Sequence, residues 1–277
     1  MSIVDLTHGL VVDEHGILVS SQNRSLAYPT DGNSSCFDLE DASFWFQHRN
    51  ECITWLVKRF PPTGTILDVG GGNGFVTKRL LDEGFDAALL EPGPVGAFNG
   101  KVFRGIPTVI CSTLEDAGFP KACIDAIGCF DVLEHIENDH LCLEQIHAVL
   151  RPRGLLYATV PAHNWLRSLS DDTAGHYRRY TRKSIIAALP DGFDLIYFTY
   201  LFSALILPIL LVRTMPYVLS PSRKRCILSS SSEHGTEGGL TVELLKGLLK
   251  REYRRIEKGR VKSCGSSCMF VARRSDV

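Results

Sequence analysis

Ile66-Leu67-Asp68-Val69-Gly70-Gly71-Gly72-Asn73-Gly74-Phe75 is the stretch that decides the fold. It opens as a short apolar strand, turns on glycines, and continues into the helical pattern Val76-Thr77-Lys78-Arg79-Leu80-Leu81. A strand ending in such a turn lets a ligand lie against bare backbone, because no Cβ stands in the way. The amides that open the next helix favour a negatively charged group. Dinucleotides and S-adenosylmethionine both suit that geometry, and the spacing separates them. A dinucleotide fingerprint needs a third glycine three residues after the second, and Phe75 stands there instead. The glycines fall at Gly70, Gly72 and Gly74, and Asp68 sits where a carboxylate would repel a pyrophosphate but suit a cationic amino-acid ligand. The pattern predicts S-adenosylmethionine.

The next apolar run, Asp86-Ala87-Ala88-Leu89-Leu90-Glu91, ends in an acid. A carboxylate about twenty residues beyond the turn, at the tip of the second strand, is placed to accept both ribose hydroxyls. The helix between the strands runs from Val76 to Asp82, with Gly84 as its stop.

With these residues in view, the sequence resembles the class I S-adenosylmethionine-dependent methyltransferases. ILDVGGGNGF, LLEPGP, IGCFDVLEHI, VLRPRGLLYATVP and GHYRRYT carry the likeness. Within that superfamily it is similar to the group holding ubiquinone-biosynthesis O-methyltransferases and enzymes of glycan and natural-product clusters. The resemblance implies a doubly wound α/β fold: a seven-stranded, mostly parallel, Rossmann-like sheet whose last strand is antiparallel. It also implies that the helical stretch from Ser43, with Phe44, Trp45, Ile53 and Leu56, covers the cofactor, and that Arg49 meets its carboxylate. The loop after the third strand would hold the adenine through Thr113 and Leu114, although Ser112 and Thr113 stand where the superfamily often has Asp.

Composition bounds the rest. A chain of 277 residues with 44% hydrophobic content is long enough for one large α/β core and an appendage. A net charge of −1 gives no electrostatic reason to expect a nucleic-acid partner. The first residues, MSIVDLTHGLVVDEHG, carry acids where a secretory signal carries basic residues and an unbroken apolar run. Nine cysteines form no CxxC pair, and Cys264 and Cys268 have no histidine near them in sequence. Free thiols in the cytoplasm are the expectation.

Four regions follow: an N-terminal arm and covering helix (1–60), the cofactor-binding core (61–200), an apolar and basic insertion (201–262), and the last core strand with a tail (263–277). Residues 1–40 read as an irregular arm or small hairpin, with turns at Tyr28-Pro29 and Asp31-Gly32-Asn33-Ser34-Ser35. Thr108 to Cys111, Ile124 to Phe130, Leu155 to Pro161 and Phe193 to Tyr200 read as further strands, and Ser267 to Ala272 as the last. A helix from His140 to Leu150 is expected to stop at Arg151-Pro152-Arg153-Gly154. Residues 162–180 read as a long loop over the site, and its Trp165, His176, Tyr177, Arg178, Arg179 and Tyr180 suit an anionic or sugar-like substrate. In the insertion, 201–212 carries no charge and is followed by Arg213 and Arg223-Lys224-Arg225. It is too short to span a bilayer, and Pro208 would kink a helix there. Peripheral membrane contact through 201–225 competes with a core helix or a dimer interface. A serine-rich linker over 229–239 precedes a basic amphipathic helix from Val242 to Ile256.

Methyl transfer to an acceptor hydroxyl needs alignment and a base. His135, just beyond the fourth strand, is the first candidate, His176 the second, and His163 stays open. Phe130 is expected to pack on the cofactor at the sheet edge. The strand end Phe130-Asp131-Val132-Leu133 lacks the Asn/Asp-Pro-Pro-aromatic motif of nucleic-acid-base amino methyltransferases. No metal-binding carboxylate cluster is legible, so metal-independent chemistry is expected, on a small-molecule, glycan or lipid-linked acceptor, most readily at oxygen. Transfer to nitrogen or carboxylate, and a cofactor-binding protein without turnover, are the alternatives.

Overall fold

The computed structural model describes residues 3–21, 32–219 and 240–276. The turn expected at Tyr28-Pro29, the cluster Arg223-Lys224-Arg225 and the linker 229–239 lie outside the described residues.

One nine-stranded sheet organises the chain. In chain order its strands are β1 (Leu10–Val12), β2 (Leu18–Ser20), β3 (Ile66–Val69), β4 (Ala87–Leu90), β5 (Val109–Cys111), β6 (Ile124–Phe130), β7 (Leu150–Pro161), β8 (Phe193–Leu201) and β9 (Ser267–Arg274). Across the sheet they run β1-β2-β5-β4-β3-β6-β7-β9-β8. The seven from β5 to β8 form the expected mostly parallel sheet, with β9 antiparallel between β7 and β8. The two extra strands are an N-terminal hairpin that adds β2, parallel, to the free edge of β5. An unpaired edge is open to further pairing, and the hairpin covers this one.

Both faces of the sheet are covered, which is why β3 and β4 are buried at every position and apolar at every position but Asp68. Side chains alternate between two cores with the period of two that a strand imposes. On β9, Cys268, Phe270 and Ala272 join the core against α5 (Asp139–Val149) and α7 (Arg182–Ala188). Met269 and Val271 join the opposite core, against α2 (Phe44–Arg59), α3 (Phe75–Asp82) and the C-terminal helix Leu240–Glu257. Asp68 points to that second face, toward α3.

Several sequence expectations need correction. The polar run at 31–35 was expected to turn, yet α1 (Gly32–Glu40) is a helix. Tertiary contacts outweigh its weak propensity: Asn73 Nδ2 donates to the Asn33 carbonyl at 2.9 Å and to Glu40 Oε1 at 3.0 Å, and Arg104 Nη2 pairs with Glu40 at 2.7 Å. Arg151-Pro152-Arg153-Gly154 does not separate helix from strand. Leu150 already pairs with Ile124, and the ladder resumes at Leu155 with Ala126, so the four residues bulge out of β7. The loop over 162–180 contains its own helix, α6 (Leu169–Ala174), opened by a Ser168–Asp171 capping box. Pro208 does not break its segment. It lies in the first turn of helix Ile206–Ile209, where its missing N–H is no loss, and the run continues through a π-helical turn (Leu210–Thr214) to Met215–Leu219.

The insertion is tied to the cofactor side by one buried group. Glu252 of the C-terminal helix accepts from the backbone N–H of Phe202 at 2.6 Å and of Ser203 at 2.8 Å, and its Oε1 lies 3.2 Å from His48 Nε2 on α2. Burial alone would raise the Glu252 pKa, but these partners, His48 foremost, hold it below the ordinary carboxylate value.

Candidate functional site

The site forms at the carboxyl ends of β3, β4 and β6. Gly70, Gly72 and Gly74 all adopt positive φ, at 68°, 56° and 77°. Gly74 is the N-cap of α3, and a Cβ there would sit 2.2 Å from Ile106 Cδ1. At Gly72 the nearest atom is Asn33 Oδ1, 3.5 Å from where a Cβ would stand, so Gly72 is required by its φ and not by crowding.

Two carboxylates flank the turn. Asp68 is fully buried and accepts from Thr77 Oγ1 at 2.6 Å, while its Oδ1 has no hydrogen-bond partner among the described residues. Burial pushes its carboxyl up to about 6, against the help of Thr77. Glu91 accepts the Gly72 N–H through Oε2 and the Gly93 N–H through Oε1, both at 2.8 Å. Burial raises its pKa in spite of those bonds and a third from the Asn33 side chain. The predicted ribose acceptor is thus capped by Asn33 of α1.

Arg49 reaches over the same edge from α2. Its Nη1 donates to Asp131 Oδ2, and its guanidinium lies 5.2 Å from the Trp45 ring centroid and 5.5 Å from that of Phe46. Asp131, just past β6, holds a left-handed φ of 57°. Neither Asp131 nor Asn33 was read as a site residue. The polar strand-end position of Asp131 was the available signal, and nothing in the sequence marked Asn33.

Phe130, Leu114 and Thr113 complete the expected cofactor contacts. Phe130 is buried, and its ring turns back over Gly128, where a Cβ would meet its Cε2 at 2.5 Å. Leu114 is buried in the first core, and Thr113 Oγ1 bonds Asp116 Oδ2 at 2.8 Å and accepts the Asp116 N–H at 3.1 Å.

The histidines divide into two groups. His135 and His176 meet edge to face with ring centroids 4.7 Å apart. His176 Nδ1 lies 2.9 Å from Asp171 Oδ1, which also accepts from Arg179 Nε at 2.7 Å. Burial would raise Asp171, but His176 and Arg179 overcome it and hold the carboxyl far below its usual range. Burial first, then the neighbouring His176, pull His135 down to about 4. Glu134, buried beside them, is pushed well above the carboxylate range by burial and by Asp131. Ligand atoms of Glu134, His135 and His176 all lie within 4.8 Å of one another, close enough to share a metal ion. The sequence showed no carboxylate cluster; this group of one carboxylate and two histidines forms only in the fold. His163 stands apart, stacked between Trp165 and Tyr200, with its Nε2 3.6 Å from Cys264 Sγ. The histidine that sequence proximity did not supply to Cys264 therefore comes from the end of β7.

Residues 44–195, more than half of the chain, match the family described as a methyltransferase domain. The chain belongs to that family, among the class I S-adenosylmethionine-dependent methyltransferases, and its cofactor is S-adenosylmethionine. It is 28% identical over 102 residues to the mitochondrial ubiquinone biosynthesis O-methyltransferase of Rattus norvegicus, covering 34% of this chain and 30% of that protein. The match thus spans under a third of the relative's length. Phosphoethanolamine N-methyltransferase 2 of Haemonchus contortus, in complex with S-adenosyl-L-methionine, shares the fold at 17% identity and a TM-score of 0.54, covering 89% of this chain and 57% of that one. The [4+2]-cyclase SpnF does so at 15% identity and 0.51, covering 81% of each.

Proposed function

We propose that the protein transfers a methyl group from S-adenosylmethionine to an oxygen of a small-molecule, sugar or lipid-linked acceptor, with His176 as the base. The observation that carries this reading is the Asp171–His176 pair beside His135. A carboxylate bonded to Nδ1 orients the ring and stabilises the cation formed when the other nitrogen takes a proton. His135, drawn down to about 4, is a poor proton acceptor near neutral pH, which reverses the order read from sequence. The ubiquinone relative acts at oxygen by its name, which favours the same atom. In this reading Arg49 and Asp68 meet the amino-acid end of the cofactor, Glu91 its ribose, and the backbone after β5 its adenine. Residues 133–180 supply the acceptor side, where Tyr177 N–H bonds the Glu134 carbonyl at 2.8 Å. Free thiols at Cys52, Cys111, Cys123, Cys129, Cys142, Cys264 and Cys268 favour a reducing compartment, the cytoplasm.

The test is S-adenosylhomocysteine release against sugars, quinones and polyketides. His176→Ala lowers turnover by roughly 10²-fold or more and leaves cofactor affinity unchanged. A rate within a few-fold of the parent moves the base elsewhere. Cofactor binding with no release against any acceptor favours a binding protein without turnover, a reading the cyclase with this fold keeps in view. A second reading rests on the Glu134, His135 and His176 cluster. A divalent ion there would polarise the acceptor oxygen, and loss of activity on chelation, restored by the ion, distinguishes it.

A further inference from the structure

We propose that the helical run from Ile206 to Leu219 docks the protein on an anionic lipid surface. This goes beyond the methyl-transfer reading and does not depend on it.

A surface helix ordinarily buries its apolar stripe and shows polar residues to water. This run does the reverse. Its exposed positions are Leu207, Pro208, Leu211, Val212, Met215, Pro216, Val218 and Leu219, and none of them is polar. Leu207 is 62% exposed and Leu219 73%. Buried Thr214 and half-buried Tyr217 bond back to the rest of the chain. Thr214 Oγ1 donates to the Leu166 carbonyl at 3.1 Å, and Tyr217 OH donates to Asp172 Oδ2 at 2.7 Å. Both partners belong to the stretch after β7 that carries His176, so the run is fixed to the acceptor side with its apolar face outward. Burying that face recovers about 25 cal/mol per Å² of apolar area.

Charge selects the occupant. The described parts of the insertion, 201–219 and 240–262, hold nine Lys and Arg against three Glu, a net of +6 in a chain whose total is −1. One of those three, Glu252, is buried. Lys246, Lys250, Arg251, Arg254 and Arg255 are exposed on the C-terminal helix. A second copy would set this excess against itself, whereas an anionic lipid surface complements it. Among the described residues no helix is long and apolar enough to cross a membrane, so the contact would be interfacial.

The experiment is co-sedimentation with phosphatidylglycerol-containing and pure phosphatidylcholine vesicles, with hydrogen exchange and sedimentation velocity on the unmodified chain. The expected result is binding to the anionic vesicles that falls with added salt, with residues 206–219 gaining protection only when vesicles are present. Leu207→Glu with Leu211→Glu lowers the partition roughly tenfold or more, and retained S-adenosylmethionine binding shows that the variant is folded. No binding to anionic vesicles overturns the proposal. So does binding without protection at 206–219. Protection without vesicles overturns it too, assigning the face to a second copy if the protein is a dimer that Leu207→Glu splits, and to residues 220–239 if it is a monomer.

Discussion

Arg49 of α2 and Asp131 at the end of β6 form an ion pair whose side chains are only 11% and 19% exposed. The pair ties the covering helix to the sheet edge and neutralises the cation assigned to the cofactor's carboxylate. In the proposed reading, cofactor and Asp131 compete for one guanidinium. Arg49→Ala weakens S-adenosylmethionine binding by about 1.5–3 kcal/mol, the range for bonds to a charged group. Asp131→Asn, which releases Arg49, leaves the affinity equal or higher. Calorimetry on both variants checks this, and equal losses would make Asp131 itself the ligand.

Glu91 accepts two backbone N–H groups and is capped by Asn33, so in the proposed reading the ribose displaces Asn33 to reach it. Glu91→Ala weakens cofactor binding by roughly 1.5–3 kcal/mol and lowers the melting temperature, because the turn loses its acceptor. Asn33→Ala tightens binding or leaves it unchanged. Loss of affinity in Asn33→Ala would make α1 part of the holo site.

Asp68 gives the cofactor affinity a pH dependence with a defined sign. Its folded pKa, about 6, is raised from 3.8, so the folded protein holds a proton there between those values. On this account the apo protein loses stability from Asp68 as pH rises through that window. A cationic ligand prefers the ionised form, so affinity climbs from pH 5 to pH 7 and then levels. Asp68→Asn removes the slope, and calorimetry at the two pH values measures it.

The two helix-flanking glycines differ in what a side chain would meet. Gly84 has φ 86° and open space, so Gly84→Ala costs about 1–2 kcal/mol from backbone strain. Gly74 has φ 77° and Ile106 at 2.2 Å, so Gly74→Ala costs more. Thermal denaturation ranks them, and equal costs would mean that Ile106 moves aside freely.

Local signals carried most of the fold. The short apolar runs, the helical pattern from Ser43 and the glycine turn placed β3 to β9, α2 and α3 within a residue or two, apart from the start of β7. What sequence could not show depends on distant chain meeting the turn. α1 is held by Asn73 and Arg104, so its polar residues read as a turn. Asp131 meets Arg49 across 82 positions. His135, Glu134 and His176 come together only because the stretch after β7 folds back on the end of β6, which no spacing records. The ring of Phe130 turns inward because Gly128 leaves room for it, a choice invisible in the strand pattern.

Calorimetric titration of S-adenosylmethionine into the purified protein and its Gly72→Val variant tests the central claim most directly. Gly72 holds φ 56°, which a β-branched residue adopts only under strain. The account predicts saturable one-site binding to the parent chain and its loss in the variant, with helix content retained by circular dichroism. No heat of binding in the parent, or unchanged affinity in the variant, would contradict it.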